Sequence, residues 1–269
     1  MILLLIIADD FTGALDTGVQ FAAHGIRTRV VVDPEVDFAA QEAPVLVIDT
    51  ETRHLPASKA YEVVAGLTRR ALDAGVRYIY KKTDSALRGN IGAELAAVLK
   101  ASGLSQLPFL PAFPQTGRIT RSGIHYVDGV PVTESPFGRD PFEPVKHSVV
   151  TELIAEQCDL PARSFPALPA GDSVPPDNGI LVFDAADAGD LLHTGHKLLE
   201  QQLPEHRAPE DPLLPQDGPH ILAGCAGFGA VLPELLGLAG ETAHPLPKLD
   251  PRLLVVCGSV NPITLTQLD

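Results

Sequence analysis

The chain has no tryptophan, a single methionine, three cysteines and only 5% aromatic residues. So few rings leave little with which to stack nucleobases. Basic residues are also scarce: 20 Lys+Arg stand against 34 Asp+Glu, a formal charge of -14. That balance argues against nucleic acid or an anionic membrane as the main partner. Cys158, Cys225 and Cys257 are odd in number, far apart and in no metal-ligand spacing. They read as reduced thiols rather than a disulfide framework. No apolar run approaches the roughly 20 residues of a membrane span. The apolar start, residues 1–7, lacks a basic flank and meets Asp9 and Asp10 too early for a signal peptide, so a cytoplasmic location is expected.

What remains is the composition of a folded globular protein, 45% hydrophobic over 269 residues. Short apolar runs at residues 2–7, 29–32, 45–48, 78–82, 109–111, 180–183 and 220–223 predict strands. Between them, helical spacing predicts helices over 13–24, 58–74, 90–101, 149–157, 187–201 and 228–236. Continuous apolar strands alternating with helices predict an α/β fold, a mostly parallel sheet with helices on both faces. A hairpin interrupts the pattern at 124–132, where Asp128-Gly129 suits a type I′ turn. Proline-rich loops are expected at 135–144 and 160–176. Prolines at 245, 247 and 251 mark a linker over 237–251. Beyond it lie a strand at 253–257 and the start of a helix at 261–269, which cannot bury themselves and read as the truncated start of a second α/β domain. The main domain is then 1–236.

Three segments carry chemistry, each beyond the carboxyl end of a strand, where open α/β sheets bind ligands. The first is Asp9-Asp10-Phe11-Thr12-Gly13. Its paired carboxylates suit hydroxyl or metal binding, or one of them caps the following helix. The second runs from Lys82 through Thr83, Asp84, Ser85 and Arg88 to Asn90. Arg88 can grip a carboxylate with two parallel hydrogen bonds, the helix N-terminus favours an anion, and Asp84 is a natural acceptor for a hydroxyl. The alternative is a surface ion pair of Asp84 with Lys82 or Arg88. The third, Pro111 to Arg118 with Arg121 and His125 beyond, offers donors at Gln115, Thr116 and Arg118. His125 is either a ligand contact or structural. From Arg77 to Arg121 seven basic residues meet two acids, a positive island suited to a small anion.

Other motifs fail. No Walker P-loop is present, and Gly224-Cys225-Ala226-Gly227-Phe228-Gly229 has the wrong order for a dinucleotide fingerprint. A dehalogenase-type phosphatase would need an aspartate nucleophile where Ala8 stands.

The motifs ADDFTGALDTG (8–18), KTDSALRGNIGAEL (82–95), PAFPQTGRITR (111–121) and GIHYVDGVPV (123–132), with 184–191 and the 224–229 turn, resemble the four-carbon acid sugar kinase family. The likeness runs over almost the whole chain. It implies an N-terminal sugar-acid-binding domain and a C-terminal nucleotide-binding domain, with Mg2+ and ATP phosphorylating threonate, erythronate or 3-oxo-tetronate. Lys82 and Arg88 would hold the substrate carboxylate, with Asp9, Ser85, Gln115, Thr116 and Arg118 as further substrate contacts. Asp10 and Asp84 would bind hydroxyls and supply the catalytic base. Ser259, in Gly258-Ser259-Val260, would meet the nucleotide, and no metal-binding residue is expected. The glycine-rich nucleotide motifs of the second domain are absent from these residues. The resemblance therefore leaves two readings: the substrate-binding half of a kinase, or a non-catalytic sugar-acid-binding module. A homo-oligomer is compatible with either.

Overall fold

The computed structural model describes residues 2–141, 143–169, 172–202, 220–240 and 265–266. Eight strands form one parallel sheet: β1 (Leu4–Ala8), β2 (Thr28–Val31), β3 (Val45–Asp49), β4 (Tyr78–Lys82), β5 (Gln106–Leu110), β9 (Ala162–Phe165), β10 (Gly179–Phe183) and β11 (His220–Gly224), in the order β2-β3-β1-β4-β11-β5-β10-β9. Six helices connect them: α1 (Phe11–Ala23), α2 (Ala57–Asp73), α3 (Ile91–Ser102), α4 (Val150–Gln157), α5 (Ala188–Gln202) and α6 (Ala226–Leu235). A small antiparallel sheet consists of β6 (Arg118–Arg121), β7 (Ile124–Val127) and β8 (Val130–Pro131).

Every residue of β1 is buried, and its side chains alternate between two apolar clusters. Leu5 and Ile7 join residues of α2, α3 and α4 on one face, while Leu4, Ile6 and Ala8 join α1, α5 and α6 on the other. Burial on both faces is why the strands read as unbroken apolar runs. The parallel α/β architecture expected from the sequence is thus present. Two strands escaped sequence reading. β9 lies within the expected loop at 160–176, a short edge strand in which no residue is fully buried. β6 falls in a segment whose prolines and glycine masked a four-residue strand that pairs with β7. Cys158 is half-buried and Cys225 buried, both as free thiols. The strand expected at 253–257, Ser259 and Cys257 lie outside the described residues. Among the described residues no helix is long and apolar enough to cross a membrane.

The chain builds β2 and β3 to one side of β1 and places β4 on the other. The connections from β1 and β4 therefore diverge, and the crevice at such a switch point is where open α/β sheets bind ligands. Register aligns the relevant ends: Ala8 pairs with Asp49 on one side and Lys82 on the other, and Lys82 with Gly224.

The hairpin β6–β7 is fastened over this end of the sheet. Asp184, just past β10, accepts from Ser122 N at 2.6 Å and Gly123 N at 2.9 Å. Thr120 and Ala185 exchange backbone hydrogen bonds at 3.0 Å. His125 of β7 is fully buried. Its Nε2 donates to Ser85 O at 2.9 Å, so Nδ1 is left to accept from Thr120 Oγ1 at 3.0 Å. The ring is a neutral strut between hairpin and sheet.

Burial lowers the His125 pKa from 6.5 to about 4. Below pH 6.5 the unfolded chain takes up a proton there that the folded chain refuses, so stability falls as pH drops from 6.5 toward 4, by up to about 3 kcal/mol from this group. Asp49, raised by burial to about 6, acts in the opposite sense over part of that window. The ring itself therefore decides the matter: NMR titration of the folded chain should give His125 a midpoint near 4, and a midpoint near 6.5 would contradict the strut.

Candidate functional site

At the carboxyl end of β1, Asp10 opens α1. Its Oδ1 accepts from Gly13 N at 3.1 Å, so the capping role is real. The same oxygen lies 3.1 Å from Lys82 Nζ, and Asp9 Oδ1 lies 3.2 Å from that ammonium. A side chain at Gly13 would place its Cβ 1.7 Å from Lys82 Nζ, so glycine is required for the lysine to reach both acids. Arg53, in the loop after β3, completes the knot. Its Nε donates to Asp9 Oδ2 at 2.8 Å, while NH2 lies 2.7 Å from Asp9 Oδ2 and from Asp10 Oδ1, and 3.4 Å from Asp84 Oδ1.

Asp84 is held from its own turn. Oδ2 accepts from Ala86 N and Arg88 N, both at 3.1 Å, and from Arg88 Nε at 2.9 Å; Oδ1 accepts from Arg88 NH2 at 2.8 Å. Both oxygens are occupied by these donors and by Arg53. Asp10 differs: among the described residues its Oδ2 carries no hydrogen bond, and its side chain is 19% exposed against 7% for Asp84. Burial alone would raise both carboxyls. The hydrogen bonds from Arg88 and the charges of Arg53, Arg88 and Lys82 hold Asp84 far below the ordinary carboxylate range, and Lys82 and Arg53 lower Asp10. Burial opposes the Lys82 charge, but Asp9, Asp10 and Asp84 more than restore it. Asp10, Lys82 and Asp84 are therefore ionised at neutral pH.

Ser85 sits between hairpin and sheet, its hydroxyl accepting from Arg118 NH1 and its carbonyl from His125. Asp9, Asp10, Lys82, Asp84, Ser85, Arg88 and Arg118 thus converge, as their places at neighbouring strand ends suggested. Gln115 and Thr116 do not join them: both are exposed on a 3-10 turn, Pro114–Thr116, where Thr116 Oγ1 turns back to Phe113 O at 3.0 Å. His125 resolves as structural. Asp16 is exposed and makes no ion pair with the cluster among the described residues, although the charges of Lys82 and Arg118 reach it.

Arg53 is the residue that sequence reasoning missed. It stands in no motif, but it follows the carboxyl end of the strand beside β1, and that position was the available signal. Asn90 was noticed only as part of a motif. Its Nδ2 donates to the carbonyls of Thr52 at 2.9 Å and Leu55 at 2.7 Å, with Arg53 O at 3.3 Å, and so shapes the loop that presents Arg53. Beneath it lies a buried pair, Lys81 Nζ to Glu94 Oε2 at 2.9 Å, with Thr52 donating to the same carboxylate.

A cavity of about 470 Å³ opens beside the cluster, and Arg53 and Arg88 belong to both. Its other polar walls are paired among themselves: His54 with Glu143 at 2.7 Å, and Glu156 with Lys146 at 3.2 Å and His147 at 3.0 Å. Arg118 does not line this cavity.

The donor set does not suit a cation. Among the described residues no group of three or more His, Cys, Asp or Glu is placed to hold a metal, and Asp9, Asp10 and Asp84 each face cationic side chains. The 224–229 turn offers no phosphate cradle either. A Cβ at Gly224 would lie 2.5 Å from Leu110 O and one at Gly227 2.4 Å from Ala112 O, so these glycines serve close packing of backbone on backbone. Cys225 caps α6 there, its thiol pushed up to about 11 by burial.

Comparison with known proteins places this geometry. The family model of a sugar-binding N-terminal domain matches residues 4–209. A D-threonate kinase of Salmonella typhimurium is 35% identical over 277 residues, covering 99% of this chain and 60% of the relative. A D-erythronate kinase of Heliobacterium modesticaldum is 36% identical, covering 57% of this chain and 36% of the relative. A crystal structure from Bordetella bronchiseptica, described as a domain of unknown function with bound citrate and as a domain-swapped dimer, superposes with a TM-score of 0.72 at 32% identity, over 87% of this chain and 57% of that one. The chain thus spans no more than 60% of the length of these proteins. With a knot of ionised side chains at the switch point of its sheet and a match over most of its length, the chain belongs to the family of sugar-binding N-terminal domains.

Proposed function

We propose that this chain is the substrate-binding part of an ATP-dependent kinase that phosphorylates a hydroxyl of a four-carbon sugar acid, of the threonate, erythronate or 3-oxo-tetronate type. The observation that carries the reading is the charge of the knot: four cations, Arg53, Lys82, Arg88 and Arg118, against three carboxylates, Asp9, Asp10 and Asp84. One monoanion neutralises it. The names of the threonate and erythronate kinases among its relatives agree with a small hydroxylated acid.

Within that reading the two acids separate. Asp84, both oxygens engaged, is a clamp that fixes Arg88 and Arg53. Asp10, with Oδ2 free of hydrogen bonds among the described residues, is the acceptor for the hydroxyl that is phosphorylated. Its lowered pKa makes it a weak base, which suits phosphoryl transfer, where orientation and charge stabilisation matter more than proton removal. The nucleotide and its Mg2+ are assigned to the nucleotide-binding domain that the family resemblance implies, with Ser259, outside the described residues, as the expected contact. The domain division at 236 and 251 is part of the same proposal.

Calorimetric titration with D-threonate and D-erythronate, with succinate as control, tests the reading; equal affinity for all three would contradict it. Asp10→Asn should lower sugar-acid affinity about tenfold, the loss of a hydrogen bond to a charged group, with a smaller loss of stability than Asp84→Asn, because asparagine still caps α1 and Lys82 and Arg53 both keep Asp9. Asp84→Asn should instead cost on the order of 3 kcal/mol of stability by leaving Arg88 and Arg53 partly uncompensated. The reverse pattern would exchange their roles. Because Asp9, Asp10 and Asp84 each face cationic side chains, EDTA should leave sugar-acid affinity unchanged; loss of binding on chelation, restored by Mg2+, would overturn that assignment.

A further inference from the structure

Two of the four cations share one aromatic ring. The Arg88 guanidinium carbon lies 5.1 Å from the Phe137 ring centroid, and that of Arg118 lies 5.3 Å from the same centroid. The ring is fixed by its own turn. Ser135 Oγ accepts from Phe137 N at 3.2 Å, and Phe137 O accepts from Val145 N at 3.0 Å.

The two arginines are otherwise unequal. Arg88 spends Nε and NH2 on Asp84. Arg118 gives NH1 to Ser85, a neutral hydroxyl, and among the described residues no carboxylate lies within ion-pair distance of it. Its Nε is buried and without a hydrogen-bond partner. A buried N–H left unmet is costly, and Arg118, unlike Arg53, Lys82 and Arg88, has no direct ion pair among the described residues, so an arriving anion has a free guanidinium edge to meet. The face of an aromatic ring attracts guanidinium groups, and here it holds two that would repel each other.

We infer that Arg118 receives the carboxylate of the substrate, and that Phe137 is the positioning residue that sets Arg118 against Arg88 and so makes the site choose an acid over a neutral polyol. This rests on the sugar-acid reading above and departs from the expectation that Lys82 and Arg88 hold the carboxylate: those two are already matched by Asp9, Asp10 and Asp84. Nothing in the motif carrying Arg118 points to Phe137, which comes from a different turn.

The test compares D-threonate with D-threitol, a neutral four-carbon polyol, by NMR titration of the full 269-residue chain. Arg118→Gln should lower threonate affinity about tenfold or more, the loss of a charge-assisted contact, and leave threitol affinity unchanged. Phe137→Leu should lower threonate affinity several-fold with the same selectivity, and Phe137→Tyr, which keeps the ring, should restore it. The Arg118 Nε–H resonance, assigned by its absence in Arg118→Gln, should shift on adding threonate to the wild type. That shift decides the matter if threitol binds too weakly to measure or if Phe137→Leu fails to fold. Unchanged threonate affinity in Arg118→Gln, equal losses for both ligands, or a resonance that does not move would overturn the inference. A wild-type chain that binds no sugar acid at all would overturn the sugar-acid reading itself.

Discussion

The constraint on which this structure depends is the cost of burying charge. Asp9, Lys82, Asp84 and Arg53 are almost fully inaccessible, and an isolated ion in such a place would neutralise or unfold its surroundings. They persist because each is compensated by at least two others. The compensation is cyclic: Lys82 holds Asp9 and Asp10, Arg53 holds both of these and reaches Asp84, and Asp84 holds Arg88. Deleting one member leaves its neighbours with less compensation, and deleting Asp84 leaves Arg88 with no ion-pair partner among the described residues. The ends of β1, β3 and β4 are thereby locked to one another at the place where the sheet's connections diverge. Apolar packing would stabilise this end as well, but it would not leave one cation in excess.

A second buried pair explains how the loop after β3 stays in register. Successive side chains of β4 point to opposite faces, so Lys82 turns toward α1 while Lys81 turns toward α3 and meets Glu94. Thr52 donates to that carboxylate, and Thr50 donates to Ala8 O at 2.7 Å. The loop carrying Arg53 is thus tied to α3 below, to β1 at its side and, through Asn90, to the start of α3 above. The two adjacent lysines of this strand thus serve separate internal ion-pair groups, Lys81 with Glu94 and Lys82 with Asp9 and Asp10. Burial keeps the Glu94 carboxyl above its ordinary pKa despite Lys81, so this layer works close to the limit of what compensation can offset.

The fold was legible in the sequence because burial on both faces leaves unbroken apolar strands, and these are hard to mistake when helices separate them. What escaped was short or at an edge: β9 is half exposed and follows prolines, and β6 needs β7 beside it before its pattern means anything. The site was legible where the motif touched the chain locally. Asp10, Lys82, Asp84 and Arg88 stand at strand ends with dense polar neighbours, which sufficed to group them. Arg53 and Phe137 escaped because their partners are far away in sequence and each stands among residues of ordinary loop composition. Gln115 and Thr116 erred the other way. They share a motif with Arg118, but their 3-10 turn points them to solvent while the strand that follows carries Arg118 inward. Motif membership therefore says which segment matters, and only the backbone geometry says which of its side chains arrives.

That separation between segment and side chain bears on how such a site tolerates change. The knot of aspartates and cations is over-determined, so a substitution there disturbs stability and ligand together and leaves selection little freedom. Arg118 and its ring are attached differently: they come from the hairpin and from the 136–139 turn, each held by a few hydrogen bonds of its own, at Asp184 and at Ser135. Changes in those pieces can move the excess cation without breaking the knot. On the proposed reading, the choice of acid can therefore be altered at the hairpin and the turn while the strand ends stay as they are.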